Sequence, residues 1–183
     1  MKNLKNTCML LLLLTAINAG AQENNAVIPE ADKISIGLGM GLDYGGFGGN
    51  ILFYPAPKIG LFAGLGYPLA GVGYNVGVKF RFLTKKPSKV NAYLLGMYGY
   101  NSSIYIQDGK DYNKLFYGPT FGLGIDTRYN PKKVGYWAFA ILIPVRGSDV
   151  DAYIDDLKNN HNVEFKNDLF PLGFSVGYRF VID

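Results

Sequence analysis

The sequence is poor in charge and nearly lacks the residues that build disulfide frameworks and metal sites. Charged residues make up 17% of the 183 positions, whereas an average soluble domain has about 25%. The chain contains one cysteine and one histidine. That content excludes a disulfide framework and offers no set of zinc ligands. We therefore predict neither a metal nor another cofactor.

Long apolar runs are also missing beyond the N-terminal segment. The longest, Trp137 to Val145, has nine residues and includes Pro144, whereas a membrane-spanning helix needs about 20. Glycine, tyrosine and phenylalanine are abundant instead, with 24, 14 and 12 residues. The aromatic content argues against disorder, and the glycines lack the strict third-position repeat of collagen.

The N-terminus has the features of a secretory signal peptide over residues 1–21. Lys2 and Lys5 precede a short apolar core that begins at Met9, and Ala19-Gly20-Ala21 is a typical cleavage site. Removing the two lysines lowers the net charge from +4 to +2. The pI of about 9.0 is therefore little support for a nucleic-acid partner, and we predict none.

The remaining sequence alternates between large apolar and small or polar residues with a period of two, which is typical of β-strands. Four segments show this clearly, and four others show it more weakly, with ambiguous phase in the second and fifth. Turn-forming residues separate the eight segments. Residues 22–33 form a polar lead-in, and 34–183 form one domain. The segments are 34–44, 47–54, 59–69, 72–82, 90–106, 115–126, 135–146 and 170–182.

The two faces of these strands differ in a way that distinguishes soluble from membrane barrels. A soluble eight-stranded barrel packs its large apolar residues inward and exposes charge, whereas a transmembrane barrel exposes the apolar face to lipid. Here the second face carries mostly glycine, serine, asparagine and threonine. It also carries the charged strand residues Asp43, Lys79, Arg81, Asp126, Arg128, Arg146 and Arg179. The pattern predicts an all-β, eight-stranded antiparallel up-and-down transmembrane β-barrel.

The connections between strands differ in length on the two sides of this barrel. The turns 55–58, 84–89 and 130–133 are short, whereas 107–114 and 147–167 are longer. Outer-membrane barrels have short periplasmic turns and long outer loops, so we place both termini in the periplasm. Aromatic residues near both rims predict two interfacial girdles. The predicted lipid-facing aromatics are Tyr44, Phe80, Phe82, Tyr129, Trp137, Phe174 and Phe180.

The closing segment, Gly173 to Phe180, alternates aromatic and small residues. In this pattern the sequence resembles the small eight-stranded outer-membrane barrels of Gram-negative bacteria, such as the OmpA transmembrane domain and OmpX. The resemblance implies an outer-membrane location, contact with outer-membrane lipids, and recognition of the last strand by the barrel assembly machinery. This chain differs in continuing past the aromatic residue with Val181-Ile182-Asp183.

The interior of such a barrel is just wide enough for side chains to fill, so we predict no wide pore. A lumen polar cluster is expected near the periplasmic ends of the strands, with Asp126 bridging at least one base. We interpret it as a structural plug. The alternatives are an anion or lipid-phosphate site and a small ligand cavity left by the many lumen glycines. The spacing of Gly37, Gly39 and Gly41 is not that of a dinucleotide-binding loop, and we predict that these glycines face the lumen. The predicted cluster comprises Lys79, Arg81, Asp126, Arg128 and Arg179.

The long outer loop 147–167 contains the only histidine, His161, and no serine lies within ten residues of it. An acidic run there lacks the glycine and glutamate of an EF-hand loop, and we expect a solvated loop with a short helix that begins near Ser148 or Asp149. Bridging of divalent ions or lipid headgroups by this run is the alternative. We favour a non-enzymatic protein, with a structural role or contact with an extracellular ligand through acidic loops. The alternatives are a lipid A-modifying hydrolase or acyltransferase, and a soluble lipocalin-like carrier.

Overall fold

The computed structural model describes residues 32–82, 90–106, 112–127, 135–161, 163 and 169–182, and eight strands form most of these residues. Among these residues, one α-helix, α1 (Ser148–His161), lies between the last two strands, and a 3-10 turn, Leu42–Tyr44, follows the first. The strands are β1 (Ile34–Gly41), β2 (Gly46–Ala56), β3 (Ile59–Tyr67), β4 (Gly73–Arg81), β5 (Val90–Ile104), β6 (Lys114–Thr127), β7 (Gly135–Pro144) and β8 (Gly173–Val181).

The strands close into a barrel in which each pairs with its neighbours in sequence, and β8 pairs back onto β1. All the pairings are antiparallel, which confirms the predicted eight-stranded up-and-down barrel. Followed once around the barrel, the register returns to β1 about ten residues from its start, so the strands are tilted against the axis. Within the described ranges, no helix is long and apolar enough to cross a membrane.

The two ends of the barrel have different structures. We call the end that carries the start of β1, the end of β8 and the connections after β2, β4 and β6 the terminal end. The opposite end, with the connections after β1, β3, β5 and β7, is the loop end. At the loop end β5 and β6 extend as a long hairpin, and α1 packs against it through a small apolar core. The core comprises Ile104, Phe116, Val150 and Leu157.

Side chains alternate between the outer wall and the interior as the period of two predicts. On β4, Val76 and Val78 are 54% and 47% exposed, whereas Asn75 and Lys79 are 1% and 5% exposed. The interior is filled by a second apolar cluster together with the polar groups described below. This barrel core comprises Leu52, Tyr54, Phe62, Tyr93, Leu95, Met97, Ala140 and Leu142.

The ambiguous phase of the fifth segment comes from a β-bulge. The β5–β6 register shifts between Tyr100 and Ser102, next to Gly99, whose φ is 151°. Met97 is buried before the bulge, and Tyr100 at the bulge and Ser102 beyond it are buried as well. An extra residue in one strand reverses the alternation beyond it, so a single phase does not fit the whole segment.

The first predicted segment, 34–44, is a strand only as far as Gly41. There the backbone turns with a φ of 136°, and the chain folds into the barrel. Tyr44, predicted to face lipid, is 1% exposed and lies inside, so that prediction is wrong. The alternation with a period of two places Tyr44 on the outer wall only if the strand continues to this residue. The strand ends at Gly41, and the 3-10 turn directs Tyr44 inward. Gly45, with a φ of 69°, closes the turn, a conformation that glycine adopts without steric cost.

Candidate functional site in the barrel interior

Asp126 lies between two cations that β4 directs into the lumen. Lys79 donates a hydrogen bond from Nζ to Asp126 Oδ1 over 2.8 Å, and Arg81 donates from Nη2 to Asp126 Oδ2 over 3.3 Å. All three side chains are almost completely buried. Buried charges are tolerated only when they are paired and hydrogen-bonded, and this geometry satisfies both carboxylate oxygens.

A second carboxylate reaches the same arginine from outside the strands. Asp32, two residues before β1, accepts a 2.9 Å hydrogen bond from Arg81 Nη1. Tyr136 donates its hydroxyl proton to the other Asp32 oxygen over 2.7 Å. Asp32 is 1% exposed. Part of the predicted polar lead-in therefore closes the lumen at the terminal end.

Tyrosine rings cover the cations of β4. Lys79 Nζ lies 3.5 Å from the ring centroid of Tyr93, and the Arg81 guanidinium lies 4.1 Å from that of Tyr54. A cation on the face of an aromatic ring is attracted by the ring's quadrupole, more strongly when both groups are desolvated. The rings thus stabilise the charges and also exclude water from them.

Arg179 of β8 is held by neutral polar groups rather than by a carboxylate. It donates to Asn50 Oδ1 over 2.7 Å and to the Ser35 hydroxyl over 3.1 Å. Asn50 in turn donates from Nδ2 to the Asp43 carbonyl oxygen over 3.2 Å. The 3-10 turn is thereby linked to the polar cluster.

Among the described residues, the lumen at this level is filled almost completely by side chains. A cavity of about 10 Å³ is lined by Asp43, Asn50, Lys79 and Arg179, together with apolar side chains. This volume holds about one water molecule, and the polar groups can bind it. Bases and acids are also balanced among the described buried residues, with Lys79, Arg81 and Arg179 against Asp32, Asp43 and Asp126.

The structure brings four of the five predicted cluster residues into the lumen: Lys79, Arg81, Asp126 and Arg179. Arg128 lies outside the described residues. The sequence did not reveal the contribution of Asp32. This residue precedes the first alternating segment, so the alternation does not indicate which way its side chain points. Tyr129 also lies outside the described residues. Five predicted aromatics lie on the outer wall with exposures between 41% and 63%: Phe80, Phe82, Trp137, Phe174 and Phe180.

The loop-end helix has a buried apolar side and an exposed acidic one. Tyr153 donates its hydroxyl to the Tyr112 carbonyl over 2.9 Å. At the end of α1, the His161 ring lies 4.8 Å from that of Tyr112, and its Nε2 is 3.9 Å from an Asp156 oxygen. Neither contact is a serine hydroxyl that a hydrolase would activate. Within the described ranges, no three acidic, histidine or cysteine residues are grouped to hold a metal.

No family model and no curated protein matches this sequence.

Proposed function

We propose that this chain is an integral outer-membrane β-barrel protein with a structural or surface-contact role and no enzymatic activity. The observation that carries the proposal is the outer wall, where large apolar side chains are exposed on every strand. In water, proteins with such a wall would associate through it, whereas the hydrocarbon of a membrane solvates it. A soluble carrier of the lipocalin type needs the opposite arrangement.

The height of the apolar wall supports a membrane location. On β4 and its flanks, outward residues are apolar or aromatic from Val72 to Phe82. At a rise of about 3.3 Å per residue and a tilt of about 40°, this stretch covers a depth of about 25 Å. That depth equals the apolar band of outer-membrane barrels.

Aromatic residues on the outer wall collect at both of its rims. Near the loop end the rings of Tyr74 and Tyr117 lie 5.0 Å apart. Near the terminal end Trp137, Tyr178 and Phe180 form a contiguous group, with centroids 5.3 and 5.0 Å apart. Aromatic side chains favour the boundary between hydrocarbon and headgroups, so the two groups support two interfacial girdles.

The filled lumen supports a role that depends on the loop end rather than on transport. In our proposal the terminal end faces the periplasm, and α1 projects beyond the membrane, where an extracellular ligand can meet its acidic side. Asp149, Asp151, Asp155 and Asp156 form that side. We assign the chain to the small barrels that it resembles, with lipids and the assembly machinery as its partners.

Gel migration and membrane fractionation test the proposal. A folded barrel in an outer-membrane fraction should resist carbonate extraction, and the unheated sample should migrate differently from the boiled one. The closed hydrogen-bonded wall resists detergent until heat breaks it. A protein that is recovered in the periplasm without detergent, and whose migration heat does not change, would contradict the membrane assignment.

Thiol labelling tests the orientation. Asn159 on α1 and Pro57 at the terminal end are both exposed, and we predict a processed chain without cysteine. Asn159→Cys should react with a membrane-impermeant maleimide on intact cells, and Pro57→Cys only after the outer membrane is permeabilised. The reverse order of reactivity would invert the proposed orientation.

A further inference from the structure

The strand wall of the lumen carries more positive than negative charge. Strands contribute Lys79, Arg81 and Arg179 but only one buried carboxylate, Asp126, among the described residues. The two carboxylates that balance this excess come from segments outside the strands. Asp32 enters from the terminal end, and Asp43 enters from the loop end on the 3-10 turn. The wall alone is thus an environment that attracts anions.

Side chains of the wall donate three hydrogen bonds to the segment that carries Asp43. Asn50 donates to the Asp43 carbonyl oxygen, and Asn75 donates to the carbonyl oxygen of Leu42. The Ser175 hydroxyl donates to the Asp43 carboxylate. Replacing these three bonds by bonds to water or to a ligand would leave the strand ladder intact.

Next to this carboxylate, the ring of Tyr44 lies on a surface made of glycines. A Cβ at Gly37 or Gly39 would come within 3.1 Å of the ring, and one at Gly177 would collide with the hydroxyl. Three strand positions therefore lack side chains where the ring lies flat against the wall. Without Tyr44, this surface would be a slot that accepts a planar ring.

The same turn is bounded by glycines in conformations that other residues rarely adopt. Gly41 precedes it with a φ of 136°, and Gly45 follows it with a φ of 69°. These two glycines mark the two ends of the three-residue turn. Below the turn, the water-sized cavity places Lys79 and Arg179 beside Asp43, so the cationic environment extends directly beneath the carboxylate.

We propose that the loop-end half of the lumen is a binding pocket for a small aromatic carboxylate, and that Asp43 and Tyr44 occupy it as a built-in competitor. The ligand's carboxylate takes the place of Asp43 beside Ser175, Lys79 and Arg179. Its ring takes the place of Tyr44 on the glycines. The pocket is blind, because the barrel core closes it below. Apparent affinity is reduced by the fraction of molecules in which the turn lies inside.

The test uses the full chain folded in detergent micelles, so it does not depend on the membrane assignment. The probe is 4-hydroxyphenylacetate, and 4-methylphenol is the matched probe without a carboxylate. We expect the variant Asp43→Gly with Tyr44→Gly to bind the carboxylate at least tenfold more tightly than the wild type in calorimetric titration. It should bind 4-methylphenol at least tenfold more weakly. Equal binding of both probes, or no binding by the folded variant, would overturn the proposal.

A second measurement covers the case in which that variant does not fold. Ser175→Cys, in an otherwise unchanged chain, places a small thiol beside Asp43. The anionic sulfonatoethyl methanethiosulfonate should modify it at least tenfold faster than the cationic trimethylammonioethyl reagent, after correction for their rates with a free thiol. Saturating 4-hydroxyphenylacetate should slow the reaction. An unreactive thiol, or one that prefers the cationic reagent, would show that the turn is a fixed part of the core.

Discussion

Replacing Val76 by arginine tests whether the outer wall meets hydrocarbon or water. Val76 lies near the middle of the apolar stretch of β4, and Val72 lies at its loop-end rim. The two are similarly exposed, at 54% and 61%, so either substitution removes few contacts within the protein. They are separated by four residues along the strand, which corresponds to about 10 Å of depth at the expected tilt.

In a membrane the two arginine variants should therefore differ in stability. We expect Val76→Arg to lower the free energy of unfolding by about 2 to 4 kcal/mol and Val72→Arg by about 0 to 1 kcal/mol, because the cost of an arginine falls from the midplane to the interface. In water both substitutions would be nearly neutral, since surface changes usually have effects within about 0.5 kcal/mol.

The assay is reversible urea unfolding of the protein in phosphatidylcholine vesicles. Trp137, the only tryptophan, lies on the outer wall and is 49% exposed, so its fluorescence reports transfer from lipid to water. The slope of each transition must stay constant for the midpoints to be compared. Equal midpoints for the two variants would refute a hydrocarbon-facing wall.

Three further substitutions test the interior and the loop end. Asp126→Asn should cost about 3 to 5 kcal/mol in urea unfolding, because it leaves Lys79 as a poorly compensated buried charge; a loss below about 1 kcal/mol would count against the ion network. Gly177→Ala should reduce the folded band on unheated gels, since its Cβ would come within 2.9 Å of the Leu38 carbonyl oxygen, which belongs to the strand ladder, besides meeting Tyr44. Gly96→Ala is the control, because its Cβ would make only an ordinary 3.6 Å contact with Phe121, and equal behaviour of the two variants would be inconsistent with the close packing at Gly177. Leu157→Ala should speed amide exchange in α1 while leaving the barrel protected, because it removes a buried side chain from the loop-end core alone; unchanged exchange in α1 would contradict this packing.

Alternation along the chain was enough to predict the closed barrel and most of its wall. Outward residues such as Val76 and Phe174 and inward residues such as Lys79 and Arg179 follow from period two alone, because successive strand side chains point to opposite faces. The second segment gave no clear phase because the glycines at 48 and 49 have no side chains to alternate. The fifth gave none because its bulge reverses the phase halfway.

The sequence by itself determined the number of strands, the faces of those with a clear alternation, and the location of most of the charges. Each of these follows from local geometry that neighbouring residues impose on one another. Only the tertiary structure decided that Asp32 and Tyr44 lie inside, and that Asp126 pairs with both Lys79 and Arg81. Such contacts join residues far apart in the chain, and they depend on strand register, on where a strand ends, and on which glycines leave room.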